Sequence, residues 1–462
     1  MVRIGGCGPP DPCSNHGFGP YYIFLKYKQL IPLMANLELV RGTRDFLPEE
    51  KIFRDRIISI FRTAFENYGF VPIETPAIEK WETLSAKFAG GASILEETYN
   101  FDDRAGRKIG LRYDLTVPLA RVVAMNPNLI MPFKRYSIDK VWRYEEFKPG
   151  RYREFYQCDC DIVGVKSMLA ESECFSMAVN IFSKLGFDDY IIKLNNRKIL
   201  SALLDYAGIK TKKDEVFLII DKLDKMGSDE ASKMLIEIGI KKEKIEKLFK
   251  TLQIKGSSEK ILVELEKLIS KNEGIDELRE ILSYGKLMGF GSRIQISLSL
   301  VRGLSYYTGT IFEFSVSESK IGTITAGGRY DSMISKFAGK ENEIPAFGIS
   351  FGIERIIDVM KKRNMYKSES SLTKVFTAPI LDKVLPDAIV IAENLRKKGI
   401  NTEIEMLSRT LKKQLEYADK KGIEYVVILG EKEISEKMAT VRNMKTKEEK
   451  KINFNDIYSI IK

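Results

Sequence analysis

The chain has 462 residues, of which 44% are hydrophobic and 30% charged, a mix that excludes a largely disordered chain or a fibre. Its net charge of +10 is compatible with an anionic partner such as nucleic acid but does not require one. Residues 17–462 contain no histidine, so any mechanism there works without a histidine base, nucleophile or metal ligand. Five cysteines, an odd number, favour reduced thiols in a cytoplasm over a secreted disulfide framework. The sequence contains no run of about 18 apolar residues, so no membrane span is predicted.

The first 33 residues differ from the rest of the chain. They contain clustered glycine, proline and cysteine, whereas a regular apolar pattern begins at Met34. We therefore expect residues 1–33 to be a dispensable extension and Met34 to be the natural start. Cys7, Cys13 and His16 have no evident fourth ligand, so a zinc site there is not favoured.

Apolar spacing predicts the elements of the first half of the chain. Helical spacing predicts helices over Glu49–Tyr68, which follows Pro48, and over Ala170–Leu185. Strand-like runs are predicted between them, at Phe70–Ile73, Ile109–Tyr113, Lys134–Tyr144 and Glu154–Val163. Residues 190–290 are rich in Lys, Glu, Leu and Ile at sustained helical spacing. They predict an inserted helical domain with a solvated charged surface.

Strand patterns and glycines return from Ile294 to Phe351, and Phe351–Met360 is predicted to be helical. Residues 363–373 form a polar, serine-rich linker. Residues 374–462 alternate strands and helices, which predicts a small α/β domain with a largely parallel sheet. Residues 34–189 and 291–362 would then be the two parts of one domain that the helical segment interrupts. The sequence contains no Walker or dinucleotide-binding fingerprint, so a P-loop or Rossmann cofactor site is not favoured.

Arginines are concentrated in the segment VWRYEEFKPGRYREFYQCDCDIVG, residues 141–164. The break at Pro149–Gly150 separates two strand-like halves, and a hairpin would bring Arg143 and Arg151 together across a charged cleft. Guanidinium groups suit phosphate oxygens because they donate in a planar fork, and Phe155 could stack on a base. A surface hairpin held by salt bridges is the alternative interpretation.

Three glycine-containing segments follow. LVRGLSYYTG (residues 300–309) places Arg302 beside two tyrosines flanked by glycines, and AGGRYD (residues 326–331) is a tight glycine turn. FGISFGIER (residues 347–355) is a glycine-spaced strand that runs into a helix. Adjacent glycines permit close approach of the backbone to a ligand. An ordinary hairpin with core tyrosines is the alternative for the first two segments.

Taken in order, these segments resemble the histidyl-tRNA synthetases, a family of class II aminoacyl-tRNA synthetases, over about residues 36–462. Ala77–Gly90 resembles motif 1, the dimer-forming element; Arg143–Phe155 resembles motif 2; and Phe347–Arg355 resembles motif 3. The resemblance implies an α+β fold: an antiparallel sheet with flanking helices, a helical insertion and a C-terminal α/β anticodon-binding domain. It also implies a cytoplasmic homodimer that uses ATP with Mg²⁺ to activate L-histidine as an adenylate and then transfers it to tRNA(His).

The resemblance also implies roles for individual residues. Arg143 and Arg302 would be the catalytic residues and grip the α-phosphate and the amino-acid carboxylate. The ATP-binding residues would be Arg143, Glu145, Arg151, Phe155 and Arg355. The histidine-binding residues would be Asp114, Leu115, Thr116, Gln157, Asp161, Arg302, Tyr306, Tyr307 and Tyr330. Glu145 would receive the adenine amino group or help place the Mg²⁺ that accompanies ATP, and no other protein side chain is expected as a metal ligand.

Elementary chemistry agrees with this assignment. The substrate carboxylate is ionised at pH 7 and attacks phosphorus directly, so no general base is required. Imidazole offers one N–H donor and one acceptor, which a carboxylate and a phenol can satisfy. Asp161 lies at even spacing from Gln157 on one predicted strand, so both face the same side. Asp161 would take the imidazole N–H; alternatively, it is a structural partner of a nearby arginine.

Two departures and several alternatives remain. Many bacterial members have glutamate where Asp114 and Asp161 stand, and the form RYDLTVP (residues 112–118) resembles archaeal and eukaryotic members more. A non-catalytic paralogue, acting in regulation of histidine biosynthesis or in tRNA sensing, is the main alternative function. A threonine or proline enzyme and a plain nucleic-acid-binding scaffold are further alternatives. The three arginine motifs exceed what a scaffold needs.

Overall fold

The computed structural model describes residues 37–86, 92–146, 150–301, 306–316, 322–365 and 369–461. Residues 37–44 belong to a separate N-terminal unit, and all elements named below lie in the unit that begins at Asp45. The expectations for residues 1–33, including the cysteine and histidine near the N-terminus, lie outside the described residues. In the described part of the chain, no helix combines the length and apolar character needed to cross a membrane.

Strands and helices alternate irregularly along the chain. The strands are β1 Val71–Pro72, β2 Ile78–Lys80, β3 Asn100–Asp102, β4 Lys108–Leu111, β5 Phe133–Trp142, β6 Glu154–Val163, β7 Tyr190–Asn196, β8 Ile294–Ile296, β9 Thr310–Val316, β10 Thr323–Arg329, β11 Ala346–Gly352, β12 Val375–Pro379, β13 Thr402–Ile404, β14 Tyr425–Leu429, β15 Met438–Asn443 and β16 Glu449–Asn453. The helices are α1 Pro48–Asn67, α2 Trp81–Leu84, α3 Ala92–Glu96, α4 Thr116–Met125, α5 Leu169–Leu185, α6 Arg197–Tyr206, α7 Lys213–Ile220, α8 Leu223–Met226, α9 Ser228–Glu237, α10 Lys242–Leu252, α11 Ser258–Ile269, α12 Glu273–Leu287, α13 Asp331–Phe337, α14 Ile353–Lys362, α15 Leu385–Lys397, α16 Leu411–Lys420, α17 Glu431–Ser435 and α18 Ile457–Ile461.

A large, mostly antiparallel sheet is the centre of the molecule. Its strand order in the described residues is β1-β5-β6-β11-β10-β9-β7-β8, with parallel pairing only at its two edges, β1 with β5 and β7 with β8. The predicted strands over Lys134–Tyr144 and Glu154–Val163 are β5 and β6, which pair over their whole length. The sheet agrees with the α+β fold expected from the resemblance.

Side-chain alternation gives the two faces of this sheet different characters. On β6, Cys158, Cys160 and Ile162 belong to the apolar core. That core also contains Phe61 and Phe65 of α1, whose rings lie 4.9 and 6.1 Å from the ring of Phe351 on β11. The intervening residues of β6 therefore point to the opposite face, because successive side chains of a strand alternate. That opposite face carries the polar residues of the site.

The helical segment between β7 and β8 is shorter than predicted. Helices α6 to α12 occupy residues 197–287, but Tyr190–Asn196 forms β7, which pairs with β9 over its full length in the large sheet. Residues 190–196 are therefore part of the sheet, and the predicted boundary at residue 190 is wrong. The side chains of Ile192 and Leu194 are buried, and burial within a sheet outweighs the helical composition that follows.

The C-terminal sheet is mixed where the sequence predicted a largely parallel one. Its order is β13-β12-β14-β15-β16; β12 pairs in parallel with β13 and β14, whereas β14, β15 and β16 are antiparallel. The connection from β14 to β15 contains only the short helix α17. A parallel crossover needs about a dozen residues or more, so β15 returns antiparallel. A further small sheet, β2-β4-β3, was only partly predicted, through Ile109–Tyr113.

Candidate active site

A cavity of about 270 Å³ opens on the polar face of the large sheet. It lies against β6, β10 and β11 and is closed by residues from the starts of α4 and α14. Most of the predicted site residues line it, namely Asp114, Thr116, Arg143, Glu145, Arg151, Phe155, Gln157, Asp161, Tyr306, Tyr307, Tyr330 and Arg355. Segments more than 200 residues apart in sequence therefore meet at one place.

Arginines and an aromatic ring form one end of the cavity. Arg143 donates from Nε to the carbonyl oxygen of Tyr113 at 2.9 Å, and its guanidinium lies 5.3 Å from the ring centre of Phe155. Glu145 lies between the two arginines, 3.8 Å from Arg143 and 2.8 Å from Arg151. The hairpin predicted from the sequence thus brings both arginines to one carboxylate. A triphosphate could replace that carboxylate as their partner.

The start of α14 is held by a buried ion pair. Glu354 accepts two hydrogen bonds of 2.7 Å from Arg54 of α1, and both side chains are almost fully buried. The next residue, Arg355, donates to the carbonyl oxygen of Thr323 at 2.7 Å and lines the cavity. The Arg54–Glu354 pair therefore fixes the turn from which Arg355 extends.

Asp114 stands where the chain enters α4. Its Oδ1 accepts the backbone N–H of Val117 at 3.0 Å, so the carboxylate satisfies a donor of the first helical turn. Burial raises the pKa of Asp114 to about 6, while the hydrogen bond from Val117 and the charges of Arg143 and Arg135 act in the opposite direction. The site therefore holds a carboxylate that favours a cationic ligand.

Three tyrosines also line the cavity. The rings of Tyr306 and Tyr307 lie 4.7 Å apart, and those of Tyr306 and Tyr330 lie 6.0 Å apart at an interplanar angle of 73°. A Cβ on Gly328 would lie 2.8 Å from Tyr307 and 2.6 Å from the carbonyl oxygen of Thr310, so only glycine fits beside that ring. The adjacent glycines thus accommodate neighbouring side chains and strands. The sequence interpretation explained these glycines by the close approach of a ligand and did not include this packing.

Asp161 is held by two protein groups. Tyr330 donates its hydroxyl to Asp161 Oδ1, and Arg135 Nη2 lies 2.7 Å from Asp161 Oδ2. Residues 135 and 161 are direct neighbours in the pairing of β5 with β6. A Cβ at Gly348 would lie 2.1 Å from Asp161 Oδ1, so the carboxylate occupies space that glycine leaves open. Burial raises the pKa of Asp161, and Arg135 and Tyr330 oppose that rise. The sequence offered a structural arginine partner as the alternative role of Asp161. Arg135 is such a partner, and Asp161 also lines the cavity.

Two predicted residues are not placed in the cavity. Leu115 is 2% exposed and contributes its carbonyl oxygen to Arg135 Nη2 at 2.9 Å, and it is not among the lining residues. Arg302 lies outside the described residues. Arg329, from the same segment as Tyr330, points away to a buried pair with Glu171 of α5, with distances of 2.7 and 2.6 Å. It holds the strand in place beside the site.

Sequence interpretation missed several polar residues in this region. Asp159 and Ser350 line the cavity, and Arg135 is fully buried beneath Asp161. The even spacing that placed Gln157 and Asp161 on one face applies equally to Asp159. No local pattern indicated Ser350 or Arg135, which reach the site through the pairing of β6 with β11 and β5.

The described residues contain no group of three or more histidine, cysteine, aspartate or glutamate side chains arranged to hold a metal ion. The cysteines Cys158, Cys160 and Cys174 are buried and free. A protein cage for a resident metal is therefore not found in this part of the chain.

Comparison with known proteins gives one family. Residues 42–356 match the model of the family described as Histidyl-tRNA synthetase, and residues 374–462 match that described as Anticodon binding domain. Histidine–tRNA ligase 1 of Bacillus cereus is 39% identical over 89% of this chain and 94% of its own length. Histidine–tRNA ligase of Gloeobacter violaceus is 38% identical over 91% and 97%. The crystal structure of histidyl-tRNA synthetase from Nostoc sp. PCC 7120 superposes with a TM-score of 0.80 at 30% identity, covering 92% and 99%.

These relatives are bacterial, so they do not support the closer likeness to archaeal and eukaryotic members that the form RYDLTVP (residues 112–118) suggested. The matches extend over the catalytic segments and the C-terminal domain alike. The arginine motifs, the tyrosine-lined cavity and these matches together lead to one conclusion: the chain belongs to the histidyl-tRNA synthetase family of class II aminoacyl-tRNA synthetases.

Proposed function

We propose that the cavity on the large sheet is where this histidine–tRNA ligase joins L-histidine to ATP. The observation that supports this most directly is that residues suited to phosphates and residues suited to histidine line the same cavity. Arg143, Arg151 and Arg355 line the end suited to phosphates, and Asp114, Asp161 and three tyrosines line the end suited to an amine and an imidazole. A non-catalytic paralogue has no need to retain both ends.

In the first step, a carboxylate oxygen of histidine attacks the α-phosphorus of ATP and pyrophosphate leaves. No proton is transferred to or from the attacking group, because the carboxylate is already ionised at pH 7. The protein therefore acts by alignment and by stabilising the charge that grows on the α-phosphate. Arg143 and Arg302 would do this, Arg355 would hold the γ-phosphate, and Phe155 would stack on adenine.

Mg²⁺ would enter with ATP. Glu145 and Glu354 are the glutamates that line the phosphate end, and both are paired with arginines in the described residues. Mg²⁺ commonly binds through one or two carboxylates together with substrate phosphates, so Glu145 fits as a ligand once Arg151 turns to the triphosphate. When bound, the ion supplies charge neutralisation at the phosphates.

In the second step, a ribose hydroxyl of the 3′-terminal adenosine of tRNA(His) attacks the adenylate carbonyl and AMP leaves. We assign residues 374–462 to the anticodon and helices α6–α12 to the acceptor arm of the tRNA. The protein would act as a homodimer through the motif 1 segment, in the cytoplasm. The C-terminal domain supports this assignment with 18 basic against 14 acidic residues over 374–462, because phosphate contacts require cations.

The test is amino-acid-dependent exchange of pyrophosphate into ATP, measured against each of the twenty amino acids. Exchange with histidine alone is expected. Exchange with another amino acid would reassign the cavity, and no exchange with any amino acid would favour the non-catalytic paralogue.

A further inference from the structure

A third carboxylate, that of Asp159, lines the cavity in addition to those of Asp114 and Asp161, which were assigned to histidine. Asp159 lies between Gln157 and Asp161 on the same face of β6 and lines the cavity, although only 3% of the residue is exposed. Its Oδ1 has no hydrogen-bond partner among the described residues. A buried acceptor without a partner is unfavourable, because it has lost its hydrogen bonds to water. A ligand that donates to this oxygen would remove that cost.

Ser350 links Asp159 to the adjacent Gln157. The Gln157 side-chain amide donates from Nε2 to Ser350 Oγ at 2.8 Å, and the Ser350 hydroxyl in turn lowers the pKa of Asp159 by hydrogen bonding. This arrangement turns the other end of the amide, Gln157 Oε1, away from Ser350. That oxygen is also buried without a partner among the described residues. Two acceptors at neighbouring positions of one strand face, Gln157 Oε1 and Asp159 Oδ1, are thus buried without a partner among the described residues.

The charges around Asp159 are unbalanced in the absence of ligand. Asp161 and Asp114 both disfavour its ionised form, and Arg135 favours it. Arg135 is already paired with Asp161 at 2.7 Å, and the other arginine that acts on Asp114 is Arg143. Arg135 and Arg143 are therefore the arginines that act on these three carboxylates, and Arg143 also faces Glu145 at 3.8 Å. The missing positive charge is the charge that an ammonium group carries.

We propose that Asp159 is a further substrate-binding residue that accepts an N–H of the α-ammonium group of histidine. The ammonium has three N–H donors, and Asp114, Gln157 Oε1 and Asp159 Oδ1 offer three acceptors. A neutral imidazole has one N–H donor, for which Asp161 and the tyrosines suffice. This inference rests on the proposed placement of histidine in the cavity.

The test uses Asp159→Asn, which keeps the size of the side chain and removes its charge. We expect the KM for histidine in pyrophosphate exchange to rise about 10- to 100-fold, which is the loss of one charge-assisted hydrogen bond. The KM for ATP should change less than about twofold. Asp139→Asn is the matched control, because Asp139 lies on the adjacent strand, is paired with Arg112 at 2.6 Å and does not line the cavity.

Two fragments of the substrate separate the ammonium from the imidazole. Histamine retains the amine and 3-(imidazol-4-yl)propionate lacks it, and both are measured as competitors of histidine. Asp159→Asn should weaken histamine and leave the propionate within about twofold. Equal weakening of both compounds, or an unchanged KM for histidine, would overturn the proposal. Ser350→Ala provides a second variant should Asp159→Asn not fold, and it should weaken histamine selectively by a smaller factor.

Failure of the proposed function has a different signature. Wild-type protein would then show no histidine-dependent exchange. Failure of the present inference leaves wild-type exchange intact, with Asp159→Asn either unaffected or weakened equally for both fragments.

Discussion

Charged side chains are buried against the large sheet, whereas those of the C-terminal domain lie mostly at its surface. The pairs Arg54–Glu354, Arg135–Asp161 and Arg329–Glu171 each have both side chains at 5% exposure or less. In the C-terminal domain, Arg442–Glu449 is a pair with 26% and 45% of its side chains exposed. The difference matches two tasks. The buried pairs fix the strands and helices beside the cavity, because a buried charge requires its partner, whereas exposed charge suits reversible binding to phosphates.

The largest expected effect concerns stability. Glu171→Ala leaves Arg329 as a buried charge without its bidentate partner and should lower the free energy of unfolding by about 3–5 kcal/mol. The counterpart in the other region, Glu449→Ala, should lower it by less than about 1 kcal/mol, because that pair is solvated. Chemical denaturation measures both. Similar losses for the two variants would remove the contrast between the regions.

The next effect concerns the chemical step. Arg302→Ala should slow adenylate formation by about 10²–10³-fold, the usual loss on removing one preorganised donor at a developing charge. Arg302→Lys should recover only part of this rate, since lysine keeps the charge but not the planar fork. Pre-steady-state adenylate formation is the measurement, with folding checked separately. A rate within about threefold of wild type for Arg302→Ala would transfer the role to Arg143 or to Mg²⁺.

Asp161→Asn distinguishes two roles of one carboxylate. Loss of its charge removes the carboxylate that is paired with the buried Arg135, so stability should fall. If Asp161 also accepts the imidazole N–H, the KM for histidine should rise about tenfold or more while that for ATP stays nearly constant. Steady-state exchange and thermal denaturation are measured on the same preparation. Reduced stability with an unchanged KM for histidine would leave Asp161 as a structural partner alone.

Removal of residues 374–462 tests the other region. Adenylate formation should persist, while aminoacylation at limiting tRNA should fall by about tenfold or more, because phosphate contacts supply much of the affinity for nucleic acid. The intact protein should also lose tRNA affinity as salt increases. Circular dichroism establishes whether the shortened chain remains folded. If a folded shortened chain lost both activities equally, the C-terminal domain would contribute to the catalytic site.

The smallest expected effect is a pH dependence confined to the catalytic region. Burial raises the pKa of Asp159 to about 7 and that of Asp114 to about 6. Below these values both carboxyls are protonated and lose their charge, so the KM for histidine should rise severalfold between pH 8 and pH 6. The sign for folding is opposite: the folded state holds these protons more tightly than the unfolded chain, so protonation favours the unliganded fold. Asp159→Asn should flatten the change in KM, and an identical pH profile in the variant would contradict the assignment.

The sequence by itself determined the local elements and most of the candidate site. Helical spacing behind Pro48 predicted α1, the pattern over residues 154–163 predicted β6 with the observed bounds, and most of the predicted site residues line the cavity. The element predictions succeed because side-chain periodicity and capping are properties of a few consecutive residues. The antiparallel sheet was expected only from the resemblance, and no local pattern predicted its strand order.

Only the tertiary structure decided which charges meet. Arg135 reaches Asp161 because β5 and β6 pair in that register, and Ser350 reaches Asp159 and Gln157 because β11 pairs on the other side of β6. The same pairing leaves Asp159 Oδ1 buried without a partner among the described residues. Sequence spacing can place a carboxylate on one face of a strand. Whether that carboxylate finds a hydrogen-bond donor or a counter-charge depends on residues of strands that are distant in sequence. Burial then sets the energetic consequence, because a charge that is harmless in water needs a counter-charge in the interior.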